Sequence, residues 1–155
     1  MKKILYILTA AVLMLTSCEK EVTLPERLYG DWHCATALNN GSATDGSVEV
    51  DIYVTFTAEG YFSLFQKIGQ GGYKTYSGTY TLSAAEGAYI LSGEYSDGTA
   101  WGATYKVEST DVDTIMLTTG DNTETYTRVA GIPDEVLALA SPATRSTGGS
   151  EVRFL

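Results

Sequence analysis

From residue 28 to residue 129 the apolar side chains recur with a period close to two. β-Branched and aromatic residues dominate, and turn formers return about every ten to fifteen positions. The clearest stretch puts Val48, Val50, Ile52, Val54 and Phe56 on one face of a strand, with Glu49, Asp51, Tyr53, Thr55 and Thr57 on the other. Successive strand side chains point to opposite faces, so one face is buried and the other is wet. The pattern predicts eight strands, at 28–37, 47–57, 61–68, 73–82, 88–95, 100–108, 113–119 and 123–129.

The joints between them are short and carry turn chemistry, as in Ala58-Glu59-Gly60, Ser96-Asp97-Gly98-Thr99 and Gly120-Asp121-Asn122. Hairpins throughout make a meander. Eight antiparallel strands in a meander either expose two edges or close, and closure into an up-and-down β-barrel removes both edges. An immunoglobulin-type sandwich is the alternative, but it wants a crossing connection and longer linkers. The one long connection, 38–46, is rich in Gly, Asn and Ser, and reads either as a functional lid or as a solvated loop. After the last strand, Pro133, Asp134 and Glu135 open a short helix, with Ile132, Val136 and Leu139 at helical spacing. Residues 141–155 form a polar tail whose apolar end, 151–155, either docks as an edge segment or frays.

With 155 residues, 44% apolar and 19% charged, the composition is that of one globular domain. The net charge of −9 disfavours nucleic-acid binding, which draws its non-specific affinity from Lys and Arg displacing counterions. Met1-Lys2-Lys3 followed by an apolar run from Ile4 to Leu15 has the build of a cleaved export signal, and the run is too short to cross a hydrocarbon core of roughly 30 Å. Losing it removes two lysines and no acid, so the mature chain is more acidic still.

The run ends in Leu15-Thr16-Ser17-Cys18, which resembles the lipobox of bacterial lipoproteins. The resemblance implies that residues 1–17 are a lipoprotein signal peptide, that Cys18 is lipidated and becomes the new N-terminus, and that residues 18–27 form a tether. It places the protein in the bacterial cell envelope on a lipid anchor, with the outer membrane as the expected location, while the membrane and face actually reached are set by sorting machinery that composition does not reveal. Buried acyl chains at about 0.8 kcal/mol per methylene would make such anchoring essentially permanent. Cys34 is then left without an intrachain partner, and reads as a small buried apolar residue. His33 cannot activate it, because strand neighbours point to opposite faces.

Leu28-Tyr29-Gly30-Asp31-Trp32 resembles the Gly-x-Trp signature of the lipocalin and wider calycin barrels. In that family the Trp lies at the closed end and is covered by a basic residue from the end of the last strand, a role that Arg128 matches. The resemblance therefore implies a lipocalin-like barrel over residues 28–140, including the helix after the last strand, with Trp32 and Arg128 as its barrel-closing pair. An even strand count supports the geometry, since the eighth strand returns to the end where the first began.

Strand parity directs Trp32, Cys34, Tyr76, Tyr80, Tyr89, Leu91, Trp101, Tyr105, Val107, Ile115, Leu117 and Tyr126 inward. In the third strand Phe62, Leu64 and Ile68 compete with Tyr61 and Phe65. Tyr76, Tyr80, Trp101 and Tyr105 are the expected ligand-binding residues, because each ring offers an apolar face and a hydrogen-bonding tip. The alternative is plain aromatic filling of the core. No catalytic constellation, metal-ligand spacing or cofactor motif is present in the sequence, so no enzyme, metal or cofactor is expected. The leading expectation is a monomeric, membrane-anchored protein that binds a small hydrophobic or amphipathic ligand inside the barrel. Its rival is a non-catalytic envelope protein that grips a protein or glycan through its outer surface or loops.

Overall fold

The computed structural model describes residues 23–38, 48–143 and 153–155. Residues 1–17, expected from sequence to be a signal peptide, Cys18, all but the first residue of the 38–46 connection, and residues 144–152 lie outside the described residues. The described chain is a closed antiparallel barrel. Its strands are β1 (Gly30–Leu38), β2 (Val48–Phe56), β3 (Tyr61–Ile68), β4 (Lys74–Ala85), β5 (Ala88–Tyr95), β6 (Tyr105–Asp111), β7 (Thr114–Thr119) and β8 (Asn122–Val129). The order β3-β2-β1-β8-β7-β6-β5-β4, with β4 paired back on β3, closes the ring and leaves it without a free edge. Every joint within the ring links antiparallel neighbours, which makes it an up-and-down barrel.

Alternation governs what fills it. Val50, Ile52, Val54 and Phe56 from β2 are buried, as are Phe62 and Leu64 from β3, Leu91 and Tyr95 from β5, and Ile115 and Leu117 from β7. The ambiguous phase of the third strand is thereby resolved: even positions face inward, and Tyr61 is exposed.

One end of the ring is a floor. Residues 24–28, read from sequence as the last part of the tether and the start of the first strand, form the short helix α1 (Leu24–Leu28) instead. Pro25 sits in its first turn, and the Thr23 N–H donates to Glu26 Oε2 at 3.3 Å. The fully buried Leu28 closes the base, and its carbonyl accepts the Trp32 indole N–H at 2.8 Å. Arg128, opposite Trp32 in the β1–β8 register, lies over the indole at 4.2 Å from the ring centre. Its guanidinium donates to the carbonyls of Tyr29 (2.8 Å), Arg27 (2.6 Å) and Val112 (3.0 Å), which ties α1, the β6–β7 turn and the last strand together. Gly30 makes room for this: it has φ +123°, and a Cβ there would lie 2.5 Å from Arg128 Nη1.

The other end is the mouth, ringed by the end of β1, the start of β2 and the β3–β4, β5–β6 and β7–β8 joints. Here β6 begins at Tyr105, later than alternation suggests. Residues 96–99 form a tight turn after β5, in which the Tyr95 N–H donates to the Thr99 carbonyl at 2.8 Å. Trp101 then folds back over Gly93, where an added Cβ would meet the indole at 2.4 Å. Beyond β8, α2 (Asp134–Leu139) leads to β9 (Ser141–Pro142), which pairs in parallel with Lys74 and Thr75 of β4.

Candidate functional site

A network of aromatic rings runs from the mouth into the interior. Edge-on ring contacts run continuously from Tyr76 to Tyr95 (5.8 Å between centres), Tyr95 to Phe62 (5.6 Å), Phe62 to Trp101 (5.1 Å) and Trp101 to Tyr105 (6.2 Å). Three of the four residues expected from sequence, Tyr76, Trp101 and Tyr105, therefore share one network. The fourth, Tyr80, stands toward the floor, edge-on to Phe56 at 5.0 Å, with its hydroxyl donating to the Thr57 carbonyl at 2.6 Å. Phe62 and Tyr95 complete the network, and neither was singled out as a site residue. Tyr95 shares the inward parity of Leu91, a signal that was available; Phe62 was hidden by the ambiguous phase of its strand.

Residues 153–155 occupy this compartment. Leu155 is 1% exposed and belongs to the same core cluster as the strand residues, with Phe154 packed against it. The Leu155 carbonyl accepts the Tyr95 hydroxyl at 2.6 Å and the Gly102 N–H at 3.3 Å. The Phe154 carbonyl accepts the Tyr105 hydroxyl at 3.1 Å, and the Phe154 N–H donates to Gln66 Oε1 at 3.0 Å. At the rim, Arg153 bonds Asp97 at 2.7 Å, and its guanidinium lies over the rings of Tyr95 (4.6 Å) and Tyr76 (5.4 Å). This end of the chain neither frays nor docks as an edge strand; it enters the barrel. Burying a leucine side chain contributes about 1.5–3 kcal/mol, so the arrangement is supported by packing as well as by polar contacts.

The electrostatics follow from burial. Desolvation pushes the Tyr105 hydroxyl up to about 12, assisted by Glu124, and raises Tyr95 against the opposing pull of its bond to Leu155 and of Arg153. Both remain protonated donors at ordinary pH. Burial also raises Glu124, which accepts the Tyr126 hydroxyl at 3.0 Å on the last strand. Asp97 is shifted the other way: its bond to Arg153 and those from Thr99 hold its carboxyl well below the usual range. Cys34 is 3% exposed, and burial, then Glu124 and Asp51, push its thiol up to about 12. His33 is on the outer wall, stacked on Tyr53 at 4.4 Å and paired with Asp51 at 2.6 Å. Tyr73 also bonds Asp51. Among the described residues no group of His, Cys, Asp and Glu is placed to hold a metal ion.

No known protein family, characterised protein or solved structure matches the chain. The arrangement of the site is therefore what speaks for its use.

Proposed function

We propose that the protein is a lipid-anchored, lipocalin-like binding protein of the bacterial envelope, which holds a small hydrophobic or amphipathic molecule in the mouth half of its barrel. One observation carries this reading: the compartment accommodates residues that are no part of the barrel wall. Leu155 is buried there among rings, and wall hydroxyls bond the backbone beside it. An interior that takes an apolar group with polar atoms alongside has the chemistry an amphipath requires. The floor supports the family reading, since Trp32 and Arg128 meet where the lipocalin-like arrangement wants them. The anchor rests on the Leu15-Thr16-Ser17-Cys18 motif. Because α1 enters at the floor, the tether leaves from that end and the mouth faces away from the membrane. The reading is non-catalytic, in keeping with an interior thiol held protonated and a histidine on the outer wall.

Expression with the leader intact tests both halves. The protein should partition into detergent and lose that behaviour on Cys18→Ser. Native mass spectrometry after mild extraction should show a bound organic species, and the lipophilic fluorophore 1-anilinonaphthalene-8-sulfonate should be taken up. Absence of any adduct and of fluorophore uptake, in both the full chain and a chain ending at residue 152, overturns the binding half.

A second reading, attachment to a protein or glycan partner through the outer surface, is favoured by a groove of about 600 Å³ lined by His33, Glu49, Asp51, Tyr53, Lys67 and Gln70. A partner retained by the wild type and lost with Tyr53→Ala would select it.

A further inference from the structure

We infer that the mouth compartment is a peptide site: it takes an extended segment with a basic residue followed by two apolar ones, and residues 153–155 are its resident occupant. The inference rests on the barrel-binding reading for the location of the site, and adds the class of ligand and what controls access.

Three observations point to a peptide rather than a plain hydrocarbon. The first is the pattern of bonds. The wall and the β5–β6 joint supply an acceptor to the Phe154 N–H, a donor to the Phe154 carbonyl and two donors to the Leu155 backbone oxygen. These bonds address the N–H and carbonyl of residue 154 and the backbone oxygen of residue 155, main-chain groups that any peptide segment presents whatever its side chains.

The second is Gln66. It is the one polar side chain among the described residues that is buried to the level of the core, at 2% exposure, and it lies on the inward face of β3 beyond Phe62 and Leu64. An amide buried on an apolar strand face is costly unless it is hydrogen-bonded. Here its oxygen meets a backbone N–H supplied by the segment, 88 positions further along the chain.

The third is the rim. Asp97 and the faces of Tyr76 and Tyr95 together receive the Arg153 guanidinium, a combination that selects a cation, while the aromatic interior beyond receives the Leu155 side chain. The protein's net charge of −9 favours the approach of a basic segment.

The occupant is separable from the barrel. The hydrogen-bonded ring closes through β3 and β4 without any contribution from residues 153–155, so the segment can leave without breaking a ladder. A tethered occupant competes at an effective concentration of order millimolar, so a like segment from another chain binds well only when the resident is weakened or withdrawn.

The test compares the full chain with a chain ending at residue 152, using N-acetyl-Arg-Phe-Leu as the probe, followed through Trp101 emission and by calorimetry. The shortened chain should bind the tripeptide at least tenfold more tightly than the full chain. Replacing the probe's arginine by aspartate, or introducing Gln66→Leu, should weaken binding by tenfold or more. Arg153→Ala and Leu155→Ser in the full chain provide the same opening should the shortened chain not fold, and each should admit the probe. Equal affinity for full and opened chains, no binding to folded opened chains, or indifference to Gln66→Leu would each overturn the inference. Uptake of 1-anilinonaphthalene-8-sulfonate separates this from the broader reading. Dye uptake without peptide binding removes the peptide inference alone, and peptide binding without dye or organic adduct upholds it while removing the small-molecule reading.

Discussion

The Arg128 guanidinium covers the Trp32 indole at 4.2 Å, although the two residues come from opposite ends of the strand sequence. The contact combines a cation over a ring with three bonds to backbone carbonyls around the floor. Arg128→Ala should destabilise the fold by about 2–4 kcal/mol in urea denaturation, from the lost bonds and the lost ring contact together. Arg128→Lys should recover less than half of this, because an ammonium cannot reproduce a planar fork. A loss below about 0.5 kcal/mol for Arg128→Ala would mean that the floor does not depend on the pair.

The indole of Trp101 owes its position to the missing side chain at Gly93. An added methyl group there would sit 2.4 Å from the ring and 2.7 Å from the Thr79 carbonyl, so the ring or the strand backbone must shift to admit it. Gly93→Ala should cost about 1–3 kcal/mol by overpacking and should alter the near-UV circular dichroism of Trp101. An unchanged spectrum would show that the indole is not held against that backbone.

Cys34 should be chemically silent in the folded protein. With its thiol pushed up to about 12 by burial and only 3% exposed, the sulfur is both protonated at pH 8 and inaccessible. Reaction with a thiol-specific disulfide reagent should track global unfolding and become rapid only in denaturant. Fast labelling of native protein would contradict the burial of this side chain.

Two carboxylates near the mouth should give opposite pH responses. Glu124 has a folded pKa above its unfolded one, so its ionisation weakens the fold as pH rises through the folded value. Glu124→Gln should therefore raise the thermal midpoint by a few °C at about pH 7, with the gain shrinking toward pH 4. Asp97 has a folded pKa below its unfolded one, so its contribution is present above the ordinary carboxylate range and is lost as pH falls toward the folded value. Asp97→Asn should destabilise at neutral pH and approach the wild type in strong acid. Thermal melts across the acid range would show either sign to be wrong.

The strands were legible because alternation acts locally. Eight segments separated by turn residues fixed the ring, and parity placed Trp32, Tyr76, Trp101 and Tyr105 on its inner face. The floor pair came from the resemblance of the Gly30-Asp31-Trp32 segment to the calycin signature, and the even strand count only made the meeting of Trp32 and Arg128 geometrically possible. Other features have non-local causes. Trp101 keeps inward parity and its N–H still donates to the Gly93 carbonyl at 2.9 Å, but the next N–H, that of Gly102, turns to Leu155 instead of to the neighbouring strand. Thr23, Pro25 and Glu26 carried the marks of a helix start, but five residues are too few to show a helical period. Gln66 reads as an ordinary polar position on a strand of uncertain phase, and its bond to the Phe154 N–H comes from 88 positions further along the chain. For the same reason the docking of residues 153–155 has no local signature: the groups that receive them lie in β3, β4, β5, β6 and the β5–β6 joint.

Pairing the first strand with the eighth also sets a timetable for synthesis. A ribosome must deliver nearly every strand before β1 gains its second neighbour, so until Arg128 emerges the nascent sheet keeps both margins open and Trp32 lacks its cover. Such a polypeptide locks late, and its last strand, not its first, decides when the cup is complete.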